Sequence, residues 1–422
     1  MQELFCSQLK PQDGRIAIMF FQFKYFKNHI LVEPVPIILN FLFLFILFPG
    51  TGNSFDKTLA EKTRGENSPH ILKSNNFSLN ARNVKALKSQ GNKLWIGTSM
   101  GVIKYNKLST DDYVIYDNRN GLLSNGIFSI ATGPKNQIWV GTYGGGLSLM
   151  DGKRWININT PQGLNDAFIF DQEFTKDSMW IATWSGANRV SGDPLSRSSW
   201  KSFTVENTNG GLIDNWVYSI EIGKDNNIWF GTEAGLSLFD GDKWLNWNHK
   251  NGLGASYKLV ERNNRQVTDT FKGAHHNHQT SNLLNTKSTR YRPNYIVSML
   301  LDKANRLWIG TWGGGLSLFD PATRAFRNFT VQDGLPGNYI LTLNEGPVGN
   351  LWIGSNKGLS RFDGAHFFNY SKINGLISDY IFSIEFDRDS FLWVGGHHGI
   401  TQLKIDPSTG NLSRLDKFSN KS

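Results

Sequence analysis

Residues 211–248 read GLIDNWVYSIEIGKDNNIWFGTEAGLSLFDGDKWLNWN, and this stretch decides the fold. Apolar residues alternate with polar ones over Val217–Ile222, Ile228–Thr232, Leu236–Phe239 and Lys243–Trp247, and Gly, Asp and Asn separate these segments. Alternation with a period of two between such turn residues is typical of short antiparallel strands joined by hairpins. The stretch therefore predicts four consecutive β-strands.

The same pattern occurs seven times, and each copy is centred on a tryptophan. Glycine follows six of these tryptophans two residues later, and alanine follows the remaining one; they are Trp95, Trp139, Trp180, Trp229, Trp308, Trp352 and Trp393. Consecutive tryptophans are 44, 41, 49, 79, 44 and 41 residues apart. Four strands in a period of about 40–45 residues are typical of a β-propeller blade. We therefore predict an all-β protein, a seven-bladed β-propeller with four antiparallel strands per blade, over residues 78–422.

The repeated residues have physical roles in such a fold. The tryptophan offers a large apolar plate for contact between neighbouring blades. The glycine after it lets the adjacent blade approach closely. A second glycine follows in every copy, for example Gly235, and it permits the positive φ that a tight hairpin requires.

Three copies and one opening segment carry a family resemblance. The copies are Leu94–Thr98, Leu307–Thr311 and Leu351–Ser355, and the opening is Gly375–Asp379. They resemble the two-component regulator propeller repeats. The resemblance implies the exported sensor part of a bacterial two-component kinase, often one that senses saccharides. Since the sequence shows no kinase domain and no immunoglobulin-like domain after the repeats, we expect a partner such as a membrane sensor kinase to carry the signal.

The N-terminal region differs in kind from the repeats. Ile37–Phe48 reads IILNFLFLFILF, which has the length of the apolar region of a signal peptide. A membrane anchor from about residue 30 to 48 is the alternative. We assign 1–49 to a signal peptide or N-terminal membrane anchor and 50–77 to a polar linker. With Lys24 and Lys27 on the cytoplasmic side, the rest is expected to be exported, periplasmic or anchored to the inner membrane and facing the periplasm.

The way the ring closes is left open by the sequence. The last blade can take its fourth strand from Asn411–Phe418, at the C-terminal end of the repeats. The stretch Ile71–Phe77 can instead occupy that outer position and tie the two ends together.

One face of the predicted disc is the candidate binding surface. The turns after strands two and four lie on this face, named here the first face, and the start of strand one opens onto it. The candidate ligand-binding residues occupy the turn after strand two or the start of strand one, and they are Tyr143, Trp184, Trp216, Glu233, Trp312, Tyr339, Lys357, Tyr380, His397 and His398. Aromatic rings with a few charges suit a saccharide or another small polar ligand. For the strand-one aromatics, packing between blades is an equal alternative.

The interval before Trp308 contains an insertion of about 38 residues, at 254–291. It is polar and includes His275, His276 and His278. It is interpreted as a disordered surface insertion, or alternatively as a lid or partner-docking loop on the first face.

Composition and motifs exclude several functions. The formal net charge of +9 is scattered, which indicates acidic ligands or an anionic surface only weakly, and no nucleic-acid partner is expected. Cys6 is the one cysteine, so an internal disulfide is impossible. No phosphate loop, nucleophile elbow or zinc-protease motif occurs, and no cofactor is expected. His397 and His398 are not expected to share a metal ion, since adjacent strand residues point to opposite faces.

A non-catalytic binding module is therefore the first hypothesis. A protein-interaction scaffold is one alternative. A propeller enzyme, a lyase or glycosidase with its site at the mouth of the central channel, is the other, and it requires Asp166, Asp214 or Asp379 to join Glu233.

Overall fold

The computed structural model describes residues 72–79, 81–109, 112–264 and 291–413. These residues form seven four-stranded antiparallel sheets, which confirms the seven-bladed propeller. In blade 4, three of the four predicted strands have the bounds expected from the sequence, and the fourth begins one residue later. Within the described ranges, no helix is long and apolar enough to span a bilayer. The predicted signal or anchor segment Ile37–Phe48 lies outside these ranges.

Strands β1 to β17 form the first four blades and one strand of the last. The chain begins with β1 (Ser74–Phe77). Blade 1 contains β2 (Ala86–Gln90), β3 (Lys93–Thr98), β4 (Gly101–Asn106) and β5 (Tyr113–Tyr116). Blade 2 contains β6 (Ile127–Thr132), β7 (Ile138–Thr142), β8 (Leu147–Asp151) and β9 (Arg154–Ile158). Blade 3 contains β10 (Ile169–Phe174), β11 (Met179–Thr183), β12 (Gly186–Val190) and β13 (Trp200–Phe203). Blade 4 contains β14 (Val217–Ile222), β15 (Ile228–Thr232), β16 (Leu236–Phe239) and β17 (Trp244–Trp247).

One helix and eleven further strands complete the described chain. The helix α1 (Tyr257–Asn264) follows blade 4. Blade 5 contains β18 (Arg292–Leu301), β19 (Leu307–Trp312), β20 (Leu316–Asp320) and β21 (Ala325–Phe329). Blade 6 contains β22 (Ile340–Glu345), β23 (Leu351–Ser355), β24 (Gly358–Phe362) and β25 (Phe367–Tyr370). Blade 7 contains β26 (Ile381–Phe386), β27 (Phe391–Gly396) and β28 (Gly399–Lys404).

The ring closes through its N-terminal strand. β1 pairs antiparallel with β28, from Ser74 opposite Leu403 to Phe77 opposite Ile400, and so supplies the outer strand of blade 7. Of the two closures that the sequence allows, this is the one observed. Residues 74–77 therefore belong to the propeller rather than to the linker, because their backbone completes the sheet. At the other end, Ile405 and Leu412 form an isolated β-bridge, and both side chains are buried.

The core consists of seven apolar seams, one between each pair of neighbouring blades. In each seam the repeat tryptophan of one blade packs with apolar residues of the next, and that of blade 7 packs against blade 1. Trp352 is fully buried, and Trp393 is 1 % exposed. The predicted role of the tryptophan as an inter-blade plate is confirmed.

The glycine after the tryptophan sets the spacing of the blades. A Cβ atom placed on Gly97 would lie 2.6 Å from Cγ2 of Ile127 in the next blade, which is closer than carbon atoms approach. The second glycine of each repeat is required for its backbone conformation rather than for spacing. Gly235 has φ of +146°, a value that residues with a side chain rarely adopt.

The start of the insertion is ordered on the first face. Val260 of α1 is fully buried, and Asn264 is 3 % exposed. The Asn264 Nδ2 atom donates to the Gly313 carbonyl at 2.7 Å, and its Oδ1 accepts from Asn338 Nδ2 at 3.1 Å. Disorder over the whole of 254–291 is therefore wrong for its first part, because α1 packs against blades 5 and 6. His275, His276 and His278 lie outside the described residues.

Candidate functional site

Four half-buried aromatic residues of blades 2 to 4 form a continuous arc on the first face. This aromatic arc consists of Tyr143, Phe168, Trp184 and Trp216. The Tyr143 ring meets the Phe168 ring edge-on at 4.5 Å between centroids. Phe168 stacks on Trp184 at 4.5 Å, and Trp184 stacks on Trp216 at 5.8 Å. The structure thus brings together three of the candidate residues, and Phe168, another aromatic at the start of strand one, lies between Tyr143 and Trp184.

Trp312 and Tyr339 extend the aromatic contacts into blades 5 and 6, where the rings mainly pack against one another instead of facing solvent. Trp312 stacks on Tyr295 at 5.7 Å and meets Tyr339 at 5.2 Å. Tyr339 is only 2 % exposed and Tyr295 only 5 %. Placing Tyr339 on the rim is therefore wrong, since its ring is used in packing; Trp312 is half-buried beside it.

A charged cluster lies next to the arc. Glu233, in the turn after β15, forms an ion pair with Arg292 at the start of β18. Burial raises the pKa of the Glu233 carboxyl, the Arg292 guanidinium opposes this rise, and the Asp214 carboxylate adds to it. Burial likewise raises the pKa of Asp214. The two carboxyl groups are therefore electrostatic neighbours at the edge of the arc.

The other two candidate acids are used in local structure. Asp166 accepts from the Ser185 hydroxyl at 2.7 Å and from the backbone N–H of Phe168 at 3.0 Å. Asp379 accepts from the backbone N–H of Lys372 at 2.8 Å. Asp214 also accepts from the backbone N–H of Trp216, at 3.2 Å, but among these three acids it is the one that raises the pKa of Glu233.

The remaining candidates lie in blades 6 and 7. Lys357 and His398 are exposed. His397 Nδ1 lies 2.6 Å from Asn83 Oδ1, and its ring packs 4.7 Å from that of Tyr380. Burial, the neighbouring His398 and Lys85 together lower the pKa of His397 to about 4, so its imidazole is neutral at pH 7.

The two histidines lie in the turn between β27 and β28, not on a strand as the sequence argument assumed. Their ring centroids are 6.0 Å apart. Within the described ranges, no group of three or more His, Cys, Asp or Glu residues is arranged to hold a metal ion.

A ring of bulky residues at the channel mouth was missed by the sequence argument. In blades 2 to 7, strand one, which lies next to the central channel and is called the central strand below, carries a β-bulge near its start. The bulged position holds Phe128, Phe170, Tyr218, Val297, Leu341 and Phe382. Adjacent members touch, with Phe128 at 5.2 Å from Phe170 and Phe170 at 4.8 Å from Tyr218. A β-bulge changes the direction of a side chain, and the alternation of apolar and polar residues does not reveal it. The signal in the sequence was a bulky residue that recurs directly before the small residue of strand one, such as Phe128 before Ser129.

Carboxyl groups lie along the innermost strands, mostly in their second halves. Asp171 accepts from the backbone N–H of Ile220 in the next blade at 2.9 Å, and Glu385 accepts from that of Ser89 at 2.8 Å. Burial raises the pKa of Asp171 to about 6. Burial, then Asp171, raises that of Glu173 to about 8, and Glu221 is raised by burial and by both of these acids. Because Asp171 and Glu385 bond to neighbouring blades, they contribute to the joints between central strands.

A cavity of about 170 Å³ lies on the opposite face, between blades 5 and 6. Its walls include Arg306, Trp308 and Arg327. Arg306 is paired with Asp302 at 2.7 Å, and both arginines lie over aromatic rings. The cavity is thus a groove along a seam, and it does not adjoin the aromatic arc.

Four segments of the chain match the family model described as two component regulator propeller. They are residues 121–144, 211–234, 290–313 and 334–357. The chain carries two component regulator propeller repeats. These regulator propeller repeats lie at the starts of blades 2, 4, 5 and 6, where strand one, strand two and the following turn provide the rim.

Solved structures support the fold. The chain is 20 % identical to the extracellular domain of a protein described as a hybrid two component system, BT3049 from B. thetaiotaomicron; the match has a TM-score of 0.62 and covers 80 % of this chain and 42 % of that one. Streptogramin B lyase matches at 11 % identity with a TM-score of 0.53, covering 81 % and 98 %. The structure described as YCF48 bound to D1 peptide is 13 % identical, with a TM-score of 0.52, and the match covers 81 % of this chain and 98 % of that one. Among curated proteins, no match to the sequence is found. At these identities the likeness concerns the fold alone.

Proposed function

We propose that the protein is an exported sensor propeller that binds a saccharide or another small polar ligand on its first face. The signal would pass to a partner, such as a membrane sensor kinase. The regulator propeller repeats support a role in regulation. The predicted signal or anchor segment supports export to the periplasm.

The stacked pair of Trp184 and Trp216 is the observation that carries the proposal. Their interplanar angle is 26°, and both rings remain partly exposed. Because Trp184 already stacks on Phe168 and on Trp216, the exposed part of the Trp216 ring is the surface left for the apolar face of a sugar ring. The adjacent Glu233–Arg292 pair offers an acceptor and donors for hydroxyl groups, which would fix the orientation of the ligand.

A propeller enzyme is the second candidate, and the proximity of Asp214 and Glu233 favours it. Raised pKa values are found in carboxyl groups that act as general acids. A lyase or glycosidase would release products from an oligosaccharide, whereas a sensor would leave it intact. Chromatography of the ligand after incubation with the protein separates these alternatives, and Glu233→Gln should abolish any cleavage.

A thermal-shift screen with neutral and acidic oligosaccharides tests the binding proposal. A ligand at 100 times its Kd stabilises the native state by about 2.7 kcal/mol, which raises the Tm measurably. The double variant Trp184→Ala/Trp216→Ala should lose this shift. Phe368→Ala, at a partly exposed aromatic on the outer strand of blade 6, is the matched control and should retain it. Unchanged binding by the double variant would refute the proposed platform.

A further inference from the structure

Lys85 breaks the apolar ring at the channel mouth. It directly precedes Ala86 in blade 1, as Phe128 precedes Ser129 in blade 2. The other six blades hold a Phe, Tyr, Val or Leu at this position. The Lys85 Nζ atom lies 4.7 Å from the centroid of Phe382 and 5.1 Å from that of Phe128. The ammonium group is thus held between the central strands of blades 7 and 2.

The described residues place no carboxylate against this ammonium group. Within the described part of the chain, Lys85 has neither an ion pair nor a hydrogen bond beyond its backbone. The titratable group that faces it is His397 of blade 7, which is itself a base. The nearby acids Glu173 and Glu385 interact electrostatically with Lys88, which opposes the rise in the pKa of each of them, rather than with Lys85. Burial lowers the pKa of Lys85 to about 8.

The fold does not require a cation at this position, since six blades close with uncharged side chains there. A partly buried charge with no countercharge costs stability, and a ligand that supplies the opposite charge offsets that cost. Lys85 is also continuous with the aromatic arc, because Phe128 stacks on Tyr143 at 5.5 Å. A ligand on the arc therefore has an unpaired cation beside it.

We propose that Lys85 is the anion subsite of the first face and that the ligand is an acidic saccharide. Its carboxylate or sulfate group binds the Lys85 ammonium while its sugar rings lie on the aromatic arc. This inference rests on the proposed function and names the ligand class for that site.

Calorimetric titrations with trigalacturonate, with the neutral trisaccharide obtained by reducing its carboxyl groups, and with a sulfated galactose trisaccharide test the inference. Wild-type protein should bind one of the acidic forms about 10- to 100-fold more tightly than the neutral one. Lys85→Met should remove this preference, while Lys85→Arg should keep it. Lys201→Met is the matched control, because Lys201 also lies over a phenylalanine but on the outer strand of blade 3.

The Tm of the unliganded protein separates this role from a structural one. Lys85→Met should raise the Tm at pH 7, because it removes an uncompensated charge; a fall would show that Lys85 supports the fold. Equal affinity for acidic and neutral forms, or a preference that survives Lys85→Met, would overturn the inference. If none of the trisaccharides binds, the Tm is measured with inorganic sulfate for wild type and Lys85→Met. A rise in Tm that requires Lys85 would support the anion site and reject the saccharide ligand. If sulfate gives no such rise, both are rejected.

Discussion

The seams between blades and the rim of the first face use the same residue types for different purposes. Trp352 in a seam is fully buried against the next blade, whereas Trp184 on the rim is half-buried and stacks on other rim rings. The seam is repeated seven times with little variation, because each blade must meet its neighbour at the same distance. The rim differs from blade to blade. Uniform positions therefore build the disc, and departures from them mark where it can bind.

The largest expected difference between the two regions is in stability. Trp352→Ala should lower the free energy of unfolding by about 3–5 kcal/mol, because a large buried side chain is replaced by a cavity. Trp184→Ala should cost about 1 kcal/mol or less, since its ring is partly exposed. Urea denaturation of both variants checks this. Equal losses would mean that Trp184 belongs to the core.

The helix α1 is expected to give an intermediate effect. Asn264→Ala should destabilise the protein by about 1–3 kcal/mol, because the buried Gly313 carbonyl and the Asn338 amide lose a hydrogen-bond partner. Lys258→Ala, at an exposed position of the same helix, is the control. Hydrogen exchange at the blade 5 turn should rise only in the first variant; no change would show that α1 does not hold this part of the rim.

The channel carboxyl groups should give a smaller, pH-dependent effect. Their pKa values are raised in the folded state, with Asp171 at about 6 and Glu173 at about 8. Such groups stabilise the fold below their unfolded pKa near 4, and this contribution is lost as pH rises through the folded value. The contribution of these acids should therefore fall between pH 5 and pH 8, whereas the lowered pKa of His397 acts in the opposite direction below about pH 6.5. Glu221→Gln should reduce that fall by about 1 kcal/mol.

Urea midpoints at several pH values measure this slope. The control is Asp151→Asn, at the exposed end of β8 in blade 2. A slope that is the same in wild type and Glu221→Gln would contradict the assignment of the channel acids as the source of the pH dependence.

The sequence predicted the repeated parts of the molecule well. The blade number and the strand bounds of blade 4 followed from alternation and turn residues, because each repeat is governed by local pairing and by one seam. The closure by β1 was left open, since two segments could fill the same outer position. The helix α1 was not predicted, because its eight residues dock through a few side chains within a polar insertion.

The candidate site could be predicted only in part. The turn residues Tyr143, Trp184 and Glu233 were found as departures from the repeat, and the structure brings the first two together. Tyr339 was placed on the rim although its ring is buried. Aromatics at the start of strand one differ in burial from blade to blade, and the sequence does not show which of them are covered by neighbouring residues. Lys85 was missed, since its role depends on contacts with the rings of Phe128 and Phe382 from two other blades.

Indole N–H spectra by nuclear magnetic resonance test the central claim most directly, because the two kinds of tryptophan are resolved in one experiment. On titration with the oligosaccharide selected by the thermal-shift screen, the Trp184 and Trp216 signals should shift, and those of Trp352 and Trp393 should stay in place. Shifts confined to the seam tryptophans, which include Trp308 beside the cavity on the opposite face, would contradict a binding site on the first face.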